Sequence, residues 1–273
     1  MADAAPAPAE PRPAASVLIV RDASPGASEP IEVYMVRRQR SMKFLGGFYA
    51  FPGGKVDRGD AASTVLAGCC GVGGADAAQC FPAHGELPPL AFWVTAVREL
   101  LEESGVLLAC DGAGRVVDPR EPRVGARADA ARQALVGNGA DFGALLGEAG
   151  WRCDLRPLRY LSHFVTPKTS PIRFTARFFL CRLPPGQVPR LYTEETSEGF
   201  WIHPGDGYRR FLADEMAMAE PAEYGLAYIA QFRSVDELWA ACDDNREKFT
   251  GIVDRIEFQF WTDFDWKAGR WNR

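Results

Sequence analysis

The chain has 273 residues, enough for one large domain or two small ones with a substantial core. Hydrophobic residues make up 47% and charged residues 25%, and the formal charge of −5 carries no Lys/Arg-rich block, which disfavours nucleic acid or an anionic membrane as a partner. No apolar run approaches a membrane span, no secretory leader opens the chain and no SKL-type address closes it; with seven cysteines, a reduced cytoplasmic protein is the expectation.

Residues 1–14, "MADAAPAPAEPRPA", are Ala/Pro-rich and are expected to form a disordered tail. From residue 15 the pattern predicts a single domain. "ASVLIVRD" (15–22) and "IEVYMVRR" (31–38) are β-branched runs around a Ser/Pro/Gly turn and predict an antiparallel pair. "GFYAFPGG" (47–54) predicts a short strand running into a glycine turn. Residues 61–90, rich in Gly, Ala and Pro, are expected to be a surface excursion near a site mouth, with a short helix over 61–70. Helical patterns follow at "ARADAARQALVG" (126–137) and "DFGALLGEAG" (141–150). "LRYLSHFVTP" (158–167) and "IRFTARFFLCRL" (172–183) predict a hairpin, and "EGFWIHP" (198–204) one more strand. From about 205 a helical C-terminal extension is expected. It includes "SVDELWAACDDNREKF" (234–249), which Ser234 and Glu237 open as a capping box. Trp261, Trp266 and Trp271 are expected to pack onto the domain or onto a second copy, which leaves a homodimer open. Strands interrupted by helices predict an α+β fold, a mixed sheet sandwiched between helices.

"AVRELLEESGVLL" (96–108) ends a further helical run. At about 100° per residue, Glu99, Glu102 and Glu103 share an arc of roughly 100°, with Trp93, Val94, Val97, Leu100, Leu101 and Ser104 opposite. Arg98 lies four residues before Glu102 and is expected to pair with it along the surface. Gly105 supplies the left-handed stop. In an arbitrary helix such an acidic face is simply wet. Here the triplet repels itself with one arginine to offset it, and a hard divalent cation would remove that cost. "FPGG" is by itself a tight loop. Beside the acidic helix, Gly53 and Gly54 would let a carbonyl approach a metal or an amide approach a phosphate.

Together these pieces resemble the Nudix hydrolases, whose box reads G-x5-E-x7-R-E-U-x-E-E-x-G-U, with U aliphatic. "RELLEESGV" (98–106) matches the second half at every fixed position, and Gly54 and Asp60 match the first with Asp in place of Glu. The spacer between the halves, residues 61–97, is thirty longer than in an uninterrupted box. An interruption at this point is similar to the relatives of the peroxisomal coenzyme A diphosphatase of mammals, as is "KFLGGFYAFPGG", where Lys43 stands at a usual Arg. "SHFVTPKTSPIRFTARFFLCRLPPG" and "EETSEGFWIHP" resemble later strands of that subgroup.

The resemblance implies Mg2+ or Mn2+ held by Glu99, Glu102, Glu103 and the Gly54 carbonyl, with Arg98 orienting a glutamate. Glu99, Glu195 and Glu198 compete as general base, Lys43 and Gly53 are candidate substrate contacts, and Asp60 is left without a firm role. Coenzyme A or its thioesters lead as the small-molecule diphosphate substrate. ADP-ribose, a dinucleotide or a nucleotide sugar is the alternative, and a non-catalytic nucleotide sensor is a third reading. Cys69, Cys70, Cys80 and His84 lack the spacing of zinc-ligand knuckles and read as small packed groups; His163 and His203 read as structural.

Overall fold

The computed structural model describes residues 8–192, 194–252, 255–258, 264–265 and 270–271. In chain order its elements are β1 (Arg12–Asp22), β2 (Ile31–Arg38), β3 (Tyr49–Ala50), β4 (Gly53–Lys55), α1 (Ser63–Ala67), α2 (Gly74–Cys80), α3 (Pro89–Ser104) and β5 (Ala109–Asp111). Then come α4 (Pro122–Asn138), α5 (Phe142–Ala149), β6 (Trp151–Cys153), β7 (Leu158–Val165), β8 (Phe174–Arg182) and β9 (Thr196–Ile202). The C-terminal part holds α6 (Pro204–Leu212), α7 (Glu220–Ile229), α8 (Val235–Ala241), β10 (Phe249–Ile252) and β11 (Arg255–Phe258). A 3-10 turn, Arg58–Ala61, lies between β4 and α1.

The main sheet runs β11-β10-β7-β8-β1-β2-β3, with β4 paired to β1 and β9 paired to β2. It is mixed: β1 runs parallel to β8 and β10 parallel to β7, while β1–β2 and β7–β8 are the two antiparallel pairs the sequence predicts. Side chains alternate along β1, and both faces are covered. Val17 and Ile19 enter a core with α3 and α5, whereas Leu18 and Val20 enter one with α7 and α8. This is the expected helix–sheet–helix sandwich.

Four expectations need correction. Of the proposed tail, residues 1–7 lie outside the described residues, and β1 already starts at Arg12, because Arg12 to Val20 pair with Phe174 to Arg182 across the sheet. The 61–90 segment is more than an excursion. Val65, Ala77 and Phe81 are buried in the α3 core, with the Phe81 ring 5.6 Å from Phe92 and 4.7 Å from Tyr160. The helix predicted over 234–249 stops at Ala241. There Asp244 accepts from the Arg246 N–H and Asn245 takes a left-handed φ of 57°, local bonding that competes with a helix. The extension is also not purely helical, since β10 joins the main sheet at β7. The packing of Trp261, Trp266 and Trp271 lies outside what is described. Among the described residues no helix is long and apolar enough to cross a membrane.

Candidate active site

Pro88 and Pro89 start α3 without leaving a buried N–H behind, and Gly105 stops it at φ 68°. Fourteen of its 16 residues are buried, Glu99 among them, and the other two, Glu102 and Glu103, are half-buried, so its acidic face is not an open surface. It lies instead against β4. A Cβ on Gly54 would meet Glu99 Oε1 at 2.3 Å, so the Glu99 carboxylate fits only because residue 54 has no side chain. The Gly53 N–H donates to Glu103 Oε2 at 3.0 Å.

Arg98 holds these parts together. Its Nε donates to Asp60 Oδ1 at 2.9 Å and its Nη2 to the Lys55 carbonyl at 2.7 Å. Its Nη1 donates to Glu99 Oε1 at 2.8 Å and to Glu102 Oε1 at 2.9 Å. Arg98 is 5% exposed and Asp60 1%, so the expected surface pairing is a buried network in which one fork spans the 3-10 turn, β4 and α3. Thr95 Oγ1 and the Asp57 N–H also donate to Asp60 Oδ2, at 2.8 and 2.9 Å. Asp60 therefore acts on Arg98, and an Asp is long enough for that.

The register of β1 with β4 corrects the expected use of the glycine carbonyls. Ala15 lies opposite Gly54. The Val17 N–H donates to the Pro52 carbonyl and the Val56 N–H to the Pro13 carbonyl, at 2.8 and 3.0 Å. Antiparallel pairing alternates, so Ala15 and Gly54 form the pair that exchanges both bonds. The Gly54 carbonyl is spent in the sheet. Gly53, at the intervening position, turns its polar groups away from β1 and toward Glu103.

Burial pushes the Glu103 carboxyl up to about 7, helped by the charges of Glu195 and Glu102 and opposed by the Gly53 N–H and by Arg38. Burial also drives Glu99 well above the carboxylate range, with Arg98 opposing it and Glu103 and Glu102 adding to it. Crowded, partly desolvated carboxylates of this kind favour either a proton or a cation.

The later-loop candidates separate clearly. Glu195 is exposed and its charge acts on Glu103, whereas Glu198, on β9 opposite Arg37, is paired with Arg37 Nη1 at 2.7 Å. Lys43 is exposed in the turn between β2 and β3. The sequence reading missed Arg132, on α4. Its Nε donates to the Glu102 carbonyl at 2.7 Å, its Nη2 to Glu194 Oε2 at 3.0 Å, and its Cζ lies 3.2 Å from the Tyr192 ring centroid. It thereby ties the end of α3 to the loop that carries Glu195. Tyr34, 2% exposed, feels the charge of Glu103, and burial pushes its phenol up to about 12. Neither residue stands in a motif; only the fold brings them here. His163 and His203 lie away from this network, His163 bonded to Thr175 Oγ1 at 2.8 Å and His203 within 3.2 Å of the Ile31 carbonyl oxygen.

No family model matches the chain. It is 30% identical over 270 residues to the acyl-coenzyme A diphosphatase NUDT19 of Gallus gallus, covering 83% of this chain and 70% of that protein. It is 27% identical over 252 residues to NUDT19 of Homo sapiens, covering 80% of this chain and 65% of that one. Among solved structures, a NUDIX hydrolase from Alicyclobacillus acidocaldarius superposes with a TM-score of 0.66 at 33% identity, over 83% of this chain and 94% of that chain.

Proposed function

The chain belongs to the Nudix hydrolase family, and on that premise we propose that it cleaves the diphosphate of coenzyme A or its acyl thioesters, releasing 3′,5′-ADP and the phosphopantetheine half. The observation that carries the reading is the Arg98 fork. It joins Asp60 to Glu99 and Glu102, so the two halves of an interrupted box make one site. The likeness to two acyl-coenzyme A diphosphatases supports the substrate class.

The donor set fits Mg2+ or Mn2+. Glu99, Glu102 and Glu103 offer hard oxygens on one helix turn, and the Gly53 carbonyl replaces that of Gly54 as the backbone donor. Among the described residues no three carboxylate, thiol or imidazole side chains form a closed cage. Mg2+ is generally held by one or two carboxylates together with substrate phosphates and water. When bound, such an ion neutralises phosphate charge and acidifies water.

The remaining roles fall to the chain itself. Arg98 fixes the rotamers of Glu99 and Glu102 and does not reach for substrate. Glu195 accepts the proton of the attacking water, being the exposed carboxylate beside Glu103; Glu198 is committed to Arg37, and Glu99 to Arg98. Lys43, on the neighbouring turn, contacts a substrate phosphate as a point charge.

The test is product separation after incubation with coenzyme A, acetyl-coenzyme A, ADP-ribose or NADH at equal concentration and fixed Mg2+. Coenzyme A should give 3′,5′-ADP with the largest kcat/KM, and Lys43→Ala should raise KM with little change in kcat. A larger kcat/KM for ADP-ribose or NADH would remove the coenzyme A assignment. Absence of metal-dependent turnover on all four would favour a nucleotide sensor.

A further inference from the structure

Outside the box carboxylates, two cysteines far apart in the chain are brought face to face. After α1 the chain meets the end of β6 at Cys70, through a single-residue bridge. The Cys70 N–H donates to the Cys153 carbonyl and the Leu155 N–H to the Cys70 carbonyl, each at 2.9 Å, and Cys70 pairs with Asp154 in parallel register. One step back along both segments sets Cys69 opposite Cys153. Directly opposed residues on neighbouring strands put their side chains on one face and their backbones about 4.8 Å apart. That lies inside the Cα window of about 4.4–6.8 Å in which a disulfide closes without backbone movement.

The two thiols are not equivalent. Cys69 Sγ donates to the Val65 carbonyl at 3.5 Å, and a hydrogen bond with Cys153 holds the Cys69 thiol below its ordinary value. The same bond, followed by burial, drives Cys153 well up. Cys69 is partly exposed and Cys153 is 1% exposed. A cavity of about 420 Å³ opens beside Cys153, and its wall includes Thr64, Trp151, Arg152 and Gly68, the residue before Cys69. Elsewhere burial pushes the thiols up: Cys80 and Cys242 to about 11, Cys110 to about 12 and Cys181 higher still.

We infer that Cys69 and Cys153 are a redox-active dithiol that low-molecular-weight disulfides, reaching the partly exposed Cys69, oxidise to an intramolecular disulfide. The Cys69 thiolate attacks one sulfur of the incoming disulfide, breaks its S–S bond and expels one thiolate. Cys153 then attacks the Cys69 sulfur of the mixed disulfide and expels the second. The two protein thiols give up two electrons and two protons, and the incoming disulfide leaves as two thiols. The cation of Arg152 in the cavity wall suits an anionic disulfide such as oxidised glutathione. The bond would pin the end of α1 to β6, one short helix away from Asp60.

The full chain is incubated with glutathione disulfide at graded ratios to glutathione, alkylated, digested without reduction and mapped by mass spectrometry. The expected product is a Cys69–Cys153 cross-linked peptide, lighter by two hydrogens than its two thiol peptides and released by reductant. Cys70→Ser should retain it, and Cys153→Ser should stop at glutathione on Cys69. A lasting glutathione on wild-type Cys69, a Cys69–Cys70 link, or both thiols still reduced at a ratio that oxidises an unstructured dithiol peptide would each overturn the inference. The wild-type map decides the matter even where a variant does not fold.

Discussion

Asp60 and Arg98 form a buried ion pair across 38 residues of chain, with Arg98 Nε 2.9 Å from Asp60 Oδ1. The interruption of the box passes between them, and the pair is what keeps the two halves in register.

Asp60→Asn should therefore cost about 3 kcal/mol of stability, toward the low end for breaking a buried pair, because Glu99 and Glu102 still compensate Arg98. Turnover should fall at least about tenfold as the fork loses its anchor. Urea unfolding and a Mg2+-dependent diphosphatase assay check both. An unchanged unfolding midpoint would mean that Asp60 only supports its own turn.

Glu102→Gln and Glu103→Gln should each lower kcat by about 100-fold or more while the unfolding midpoint stays near that of wild type, since an amide cannot replace a charged ligand to a hard cation. Kinetics over a Mg2+ titration read this out. Turnover within a few-fold of wild type in both variants would take this face of α3 out of the chemistry.

Arg132→Lys should lower kcat about tenfold, because one ammonium cannot bond the Glu102 carbonyl, bond Glu194 and cover Tyr192 together. Arg132→Ala should be worse. The pH profile of kcat should shift in both if the loop bearing Glu195 moves. A profile that superposes on the wild type would reduce Arg132 to packing.

Phe81→Ala should destabilise the fold by about 3–5 kcal/mol, the cost of emptying an aromatic site 4% exposed. Surface changes in the same segment, such as Glu86→Ala, should stay within about 0.5 kcal/mol. Equal, small effects from both would restore the view of residues 61–90 as an excursion.

Acid stability should depend on His163. Burial first, then the charges of Arg177 and His84, lower its ring from 6.5 to about 3. The unfolded chain therefore takes up the proton first as pH falls. The stability of the neutral ring is complete above about pH 6.5 and is lost progressively toward pH 3, by at most about 2–3 kcal/mol at pH 4.5. His163→Gln keeps an amide toward Thr175 and carries no titration. Its loss of stability between pH 7.5 and pH 4.5 should be smaller than that of the wild type. Parallel losses in urea melts at the two pH values would assign the acid sensitivity elsewhere.

The sequence by itself determined the parts of this protein whose signals are local. The β-branched runs at 15–22, 31–38, 158–167 and 172–183 became paired strands because side-chain alternation and chain stiffness act over a few residues. Asp141 caps α5 by accepting from the Ala144 N–H, and Gly105 ends α3, as their residue types dictate. The spacing of Glu99, Glu102 and Glu103 put three carboxylates on one turn whatever lay beyond it.

Only the tertiary structure decided what those carboxylates meet. The antiparallel pairing of β4 with β1 sets the register that spends the Gly54 carbonyl and turns Gly53 toward Glu103. The approach of α4 delivers Arg132 to the Glu102 carbonyl. Packing of α2 on α3 makes Phe81 core, and docking of the Cys69–Cys70 stretch on β6 opposes two thiols that no spacing rule connects. Each of these contacts joins residues tens of positions apart. Its energy comes from burial and hydrogen bonding between surfaces that do not exist until the chain has folded, so no window of sequence contains it.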